Sequence, residues 1–140
     1  MDHTNILSLQ VGLVHKPHLC YYVCMIKINN NFKKTILIDL DGVLNTYDGK
    51  YDKNHIPSIK DGAREFLKDL NEVYRVVIFT SRNLYLASKW VVENSLDEFI
   101  SDVTNIKEPS YLIIDDRCEK FDGDYQELKN KIDNFRVWYK

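Results

Sequence analysis

Short apolar runs that end in acid, separated by segments of helical period, most constrain how this chain can fold. Residues 35–40 (TILIDL) and 74–79 (YRVVIF) read as buried strands, and 111–114 (YLII) reads as a further strand that runs into acid at Asp115. Two further strands are predicted at 99–103 and 135–139. Alternation of such strands with helices implies parallel pairing through right-handed crossovers. The predicted fold is therefore α/β, a three-layer sandwich with a mainly parallel sheet.

Three helices are predicted between and after these strands. Apolar residues recur on one face over 61–71, with Asp61 as a plausible cap. A second helix is predicted over 84–95, capped by Asn83, and a third over 124–132.

The first 33 residues lack this alternation. They mix His and Cys with short apolar runs of no sustained period, and they match neither a signal peptide nor a standard zinc pattern. We therefore predict an N-terminal extension over 1–33 that is poorly ordered, followed by a domain over 34–140. A competing interpretation is that residues 7–14, which partly alternate, form an extra strand or lid that packs on the domain.

Composition excludes several classes of protein. A chain of 140 residues fits one domain, and its net charge of −2 gives no general electrostatic attraction for nucleic acid. No apolar run is long enough to span a membrane. Three cysteines cannot make a disulfide framework, and the odd count favours a reducing, cytoplasmic location.

Pairs of carboxylates follow two of the predicted strands. Asp39 and Asp41 precede Gly42, where the backbone can approach a ligand closely, and Asp115 and Asp116 follow a later strand. Alone, each pair also reads as a capped strand end or a solvated turn. In a parallel sheet they would converge at one edge, where repelling carboxylates favour a hard divalent cation, with Mg²⁺ the best match.

Three further residues are candidates for binding phosphate. Thr80 and Ser81 close a strand, where hydroxyls and exposed amides can hold phosphate oxygens, although helix capping explains them equally well. Lys107 carries a point charge suited to phosphate, although most single lysines are surface residues.

Taken in order, these features resemble the haloacid dehalogenase superfamily of aspartate-nucleophile phosphatases. The segments ILIDLDGVLN, VVIFTS, the lysine of TNIKEPS, and YLIIDDR correspond to its four short motifs, across about residues 35–121. The resemblance implies a Rossmann-like fold. It does not fix the substrate.

The resemblance also implies a role for each matching residue. Asp39 would be the nucleophile that becomes an aspartyl-phosphate, and Asp41 the acid that protonates the leaving oxygen and then activates water. Thr80 would hold the phosphoryl group, and Lys107 would neutralise charge. The Mg²⁺ site would consist of Asp39, the backbone carbonyl of Asp41, Asp115 and Asp116.

The spacing of the motifs leaves no room for a cap domain, so an open site is expected. The local cover is residues 43–52, where Asp48 and Gly49 are typical of a two-residue hairpin. That hairpin would bring Tyr47 and Tyr51 near the site, either to stack on a substrate ring or to pair across the hairpin. Four cations could surround the mouth or be solvated surface: Lys50, Lys53, Arg82 and Arg117.

The function expected from these features is Mg²⁺-dependent hydrolysis of phosphomonoesters. An open site would admit bulky substrates, such as a nucleic-acid end or a phosphoprotein, or would take its cover from a partner subunit in an oligomer. A nucleotidase or polynucleotide-end phosphatase is the alternative enzyme. A non-catalytic binding module is the alternative of another class, although a scaffold has no need of two repelling acids at Asp39 and Asp41.

Overall fold

A computed structural model describes residues 32–137 of the chain. They form an α/β fold with an all-parallel sheet of four strands in the order β3-β2-β1-β4. The strands are β1 (Thr35–Ile38), β2 (Arg75–Phe79), β3 (Asp102–Thr104) and β4 (Leu112–Ile114). The helices are α1 (Ala63–Val73), α2 (Leu84–Glu93) and α3 (Tyr125–Asn134). The predicted parallel α/β arrangement is confirmed.

The apolar runs form three adjacent strands, with β1 and β2 at the centre of the sheet and β4 at one edge. Leu37 of β1 is in register with Val77 of β2 on one side and with Ile113 of β4 on the other. Residues 36–38 of β1 and 76–78 of β2 are buried, as are Leu67 of α1 and Trp90 of α2. Because the strands are parallel, the residues that follow β1, β2 and β4 emerge at the same edge of the sheet.

Several helix and strand boundaries in the structure differ from the predicted ones. Helix α1 begins after Gly62, whose left-handed φ of 81° makes it the N-cap without any side-chain hydrogen bond, so the prediction of Asp61 as the cap is wrong. Asn83 does cap α2, accepting from the amide of Leu86. No strand covers residues 135–137, because Phe135 ends α3, and the rest of the predicted last strand lies outside the described residues.

The predicted hairpin at 48–49 is replaced by one long loop. Residues 45–59, here called the site loop, leave and rejoin the domain through an isolated antiparallel bridge between Asn45 and Ile59. The amide of Thr46 donates to the carbonyl of Ser58 at 2.9 Å, which closes the same base. Asp48 instead accepts from the amide of Lys50, a local turn that does not organise two strands.

No helix within residues 32–137 combines the length and apolar character needed to cross a bilayer. The first 31 residues of the predicted extension lie outside the part of the chain that the structure describes.

Candidate functional site

A cavity of about 360 Å³ lies where β1, β2 and β4 end. Those strand ends supply Asp39, Thr80 and Asp115 to its wall, and the site loop supplies Tyr47 and Tyr51. The wall is completed by Asp41, Phe79, Ser81, Asn105, Asp116 and Arg117. Most of the residues predicted to form the site are therefore brought together around one cavity.

Three of the carboxylates form a tight group, here called the acidic triad: Asp39, Asp115 and Asp116. One oxygen from each lies within 4.8 Å of the others, and all three residues are half-buried. Three carboxylate oxygens this close repel one another unless a proton or a cation lies between them. Oxygen ligands of this kind suit Mg²⁺, so the acidic triad has the donor set for such an ion.

The environment of Asp39 favours its neutral form. Burial raises the pKa of this carboxyl from 3.8 to about 7, a hydrogen bond from the backbone of Leu40 opposes the rise, and the charges of Asp115, Asp41 and Asp116 add to it. In the absence of a cation, the Asp39 carboxyl is therefore partly protonated near neutral pH.

This raised pKa predicts how stability depends on pH. Between about pH 4 and pH 7 the unfolded chain has lost the Asp39 proton while the native protein keeps it, so stability falls as pH rises through this range. Asp39→Asn removes the penalty. In EDTA, urea unfolding should show this variant to be more stable than the parent at pH 8, by at most about 4 kcal/mol.

The gain should shrink towards zero as the pH approaches 4. Asp69→Asn, which changes an exposed aspartate on α1, is the matched control and should be neutral at both pH values. An Asp39→Asn gain of the same size at pH 5 and pH 8 would contradict the assigned pKa.

Asp41 is held apart from the acidic triad. Its Oδ2 accepts from Arg82 Nε at 2.7 Å, and its Oδ1 accepts from Arg82 Nη2 at 3.0 Å and from Asn45 Nδ2 at 2.9 Å. Both oxygens of this carboxylate are thus directed by neighbours while the residue still lines the cavity.

Arg82 does not lie at the mouth of the site as predicted. Its side chain is only 2% exposed, because Asp41 and the site loop enclose it, so the prediction of a surface cation is wrong. The sequence offered little sign of this, since an arginine after a Thr-Ser pair is compatible with solvent.

Asn45 is a second residue whose role the sequence did not predict. It is fully buried, and its Oδ1 accepts from the amides of Gly42 at 3.1 Å and Tyr47 at 3.0 Å. Gly42 has a left-handed φ of 84°, and its carbonyl accepts from Lys60 Nζ at 2.5 Å. Asn45 therefore fixes the turn that carries Asp41. The sequence feature that could have indicated this role is a polar residue directly after the apolar pair 43–44.

Thr80 does not cap α2, because Asn83 is the cap of that helix. It is 3% exposed, and its Oγ1 accepts from the amide of Arg82 at 3.2 Å, which stabilises the turn after β2. A hydroxyl that accepts one bond still has its own proton to donate. Ser81, next to it, is exposed on the cavity wall.

Lys107 lies outside the cavity wall. It is exposed and lines a neighbouring depression formed by residues 107–113. Its charge nevertheless acts near the acidic triad. Burial and then Asp115, through its charge and a hydrogen bond, raise the pKa of the Cys118 thiol, and Lys107 opposes that rise.

Comparison with known proteins gives one distant structural likeness. No family model matches the chain, and no curated protein shows significant similarity to it. A solved structure of a conserved protein from Bacteroides thetaiotaomicron is 20% identical, with a TM-score of 0.49 over 72% of this chain and 90% of that one. A likeness this remote carries no conclusion about activity.

Proposed function

We propose that this chain is a Mg²⁺-dependent phosphomonoester hydrolase that works through an aspartyl-phosphate on Asp39. The observation that supports this most is the acidic triad beside Thr80, in one cavity at the carboxyl edge of a parallel sheet. Mutual repulsion of these carboxylates destabilises the folded protein, and a non-catalytic scaffold would have no need of them. Phosphoryl transfer does need them, because they can hold the cation that neutralises the developing charge.

The residues present fit a divalent cation. Asp39, Asp115 and Asp116 would each give one carboxylate oxygen, and the backbone carbonyl of Asp41 would join them, as the family resemblance implies. When bound, Mg²⁺ would supply positive charge that offsets the phosphate and allows Asp39 to ionise.

Asp39 and Asp41 divide the chemistry between them. An oxygen of Asp39 attacks phosphorus, the bond from phosphorus to the leaving oxygen breaks, and that oxygen takes a proton from Asp41. Asp41 then takes a proton from water as the water hydrolyses the aspartyl-phosphate, which restores both residues. Both oxygens of Asp41 accept hydrogen bonds, which fixes the orientation of the side chain that transfers these protons.

Thr80 and Ser81 would hold the phosphoryl group by donating from their hydroxyls, and Gly42 would let the backbone approach it. Lys107 would contribute charge from the neighbouring depression to the edge of the site near Cys118.

The proposal includes a three-layer, Rossmann-like arrangement without a cap domain. The chain between Asp41 and Thr80 holds the site loop and α1, and the chain between Thr80 and Lys107 holds α2 and β3. A reducing, cytoplasmic location also belongs to the proposal, and the exposed free thiol of Cys118 suits it.

Trapping the covalent intermediate tests this function. The protein should become labelled when mixed with radiolabelled p-nitrophenyl phosphate and Mg²⁺ and then quenched in acid. Hydroxylamine should release the label, as it does from acyl phosphates. Asp41→Asn should accumulate more label, because water is no longer activated, and Asp39→Asn should take none. A folded protein that turns over no phosphomonoester would instead favour the non-catalytic binding module.

A nucleotide or polynucleotide-end substrate is the second candidate, and Tyr51 favours it. This side chain lines the cavity and is 59% exposed, while the Arg82 guanidinium lies 4.6 Å from its ring centroid. A ring supported by a buried cation is held in place, so its outer face can stack on a base or another planar group.

Matched substrates test this preference. Phenethyl phosphate and cyclohexylethyl phosphate share a primary alcohol as leaving group and differ in whether the ring is planar and aromatic. We expect about five-fold higher kcat/KM for the aromatic ester, which corresponds to roughly 1 kcal/mol of stacking. Tyr51→Leu should remove the difference and Tyr51→Phe should keep it. Equal values for both esters in the parent protein would count against an aromatic substrate.

A further inference from the structure

Arg82 joins the site loop to Asp41 through a single side chain. While Nε and Nη2 bind the carboxylate of Asp41, Nη1 donates to the backbone carbonyls of Asp52 at 2.5 Å and His55 at 2.7 Å. The planar guanidinium has five N–H donors in a fixed fork, so it can satisfy both sets of acceptors at once.

The site loop has other attachments at its ends. The bridge between Asn45 and Ile59 closes its base, and the indole Nε1 of Trp90 donates to the carbonyl of Pro57 at 2.9 Å. Arg82 holds the segment between these points, where Tyr51 meets the cavity.

The buried charge of Arg82 makes its two sets of contacts interdependent. At 2% exposure, the guanidinium needs its acceptors, because a buried cation that loses them is strongly destabilised. If the site loop lifts, Arg82 loses two carbonyl acceptors and gains solvent, and its side chain is then free to leave Asp41. If Asp41 no longer accepts from Arg82, the loop loses part of what holds it, because the buried guanidinium is no longer fixed at its other side.

We propose that Arg82 is a positioning residue that couples docking of the site loop to the orientation of Asp41, so that the loop controls the proton-transfer step. The loop also carries Tyr51, which lines the cavity. A group that binds against Tyr51 would therefore stabilise the docked loop. Through Arg82 it would also stabilise the orientation of Asp41 seen here. The activity part of this inference rests on the proposed function. The coupling between loop and carboxylate does not.

The lifetime of the aspartyl-phosphate tests the activity part. Arg82→Lys keeps the charge and loses the fork. With radiolabelled p-nitrophenyl phosphate, we expect the label on this variant to decay about 10- to 100-fold more slowly than on the parent, while label formation stays within about three-fold. In an Asp41→Asn background, Arg82→Lys should slow decay no further. A merely structural role would slow formation and decay together, and additive effects in the double variant would overturn the proposal.

Fluorescence quenching tests the coupling without any turnover. In a Trp138→Phe background, Trp90 is the remaining tryptophan, and its contact with Pro57 makes it report on the loop. Both Arg82→Lys and Asp41→Asn should raise the acrylamide quenching constant about two-fold or more. Arg75→Lys is the matched control, because Arg75 pairs with Glu108 instead, and it should change nothing.

If Arg82→Lys fails to fold, Asp41→Asn alone decides the coupling. Unchanged quenching in a folded Asp41→Asn protein would overturn the proposal. A parent protein that hydrolyses no phosphomonoester, with quenching that still rises in both variants, would overturn the proposed function and leave the coupling established.

Discussion

Asp39→Asn should lower kcat for p-nitrophenyl phosphate by at least about 10³-fold, because an amide cannot attack phosphorus and form the covalent intermediate. The same substitution removes the carboxyl that burial and three neighbouring carboxylates hold in its neutral form. The variant should therefore lose activity and, in EDTA at pH 8, gain stability. Opposite changes in these two properties separate loss of chemistry from loss of fold.

The measurement needs a control for contaminating phosphatases. Asp69→Asn, purified in the same way, should keep the parent rate, since its carboxylate is exposed on α1. Residual activity in the Asp39→Asn preparation that does not co-elute with the protein in a final chromatographic step comes from a contaminating phosphatase. If the purified variant hydrolyses the ester at the parent rate, Asp39 is not the nucleophile and the proposed mechanism is wrong.

The parallel sheet could be predicted because its signal is local. Residues 36–38 are apolar at successive positions, which suits a strand buried on both faces, and the acid that follows marks where the strand ends. Parallel pairing then places Asp39 and Asp115 at one edge without further information. The acidic triad follows from this topology.

The residues that organise Asp41 could not be predicted in the same way. Arg82 is far from Asp41 in the chain, and its burial depends on where the site loop closes. The Asp48-Gly49 pair favoured a hairpin, yet pairing occurs between Asn45 and Ile59, where the chain re-enters the core. A turn signature specifies a local bend, while the register of a long loop is decided by contacts with the rest of the domain.

Removal of divalent cations should also cause a large loss of phosphatase activity. With excess EDTA, activity should fall at least about 100-fold and return when Mg²⁺ is added in excess over the chelator. The reason is that the three carboxylates of the acidic triad repel one another, and repel the phosphate of a substrate, unless a cation lies between them. Mg²⁺ should also raise the melting temperature of the parent at pH 8, since a ligand that binds the native state alone stabilises it. Full activity in excess EDTA would remove the metal from the proposal.

Variants of the acidic triad locate the ion. Asp115 directly follows β4, and its Oδ1 accepts from the amide of Arg117 at 2.8 Å, so its carboxylate is fixed by the backbone. We expect Asp115→Ala to raise the Mg²⁺ concentration for half-maximal activity by about ten-fold or more, and Asp116→Ala to raise it less. Both should reduce the melting-temperature gain from Mg²⁺, whereas Asp102→Ala, at an exposed position on β3, should leave it unchanged. Equal effects of the two triad variants would contradict the ranking alone, while an undiminished Mg²⁺ response in both would place the ion elsewhere.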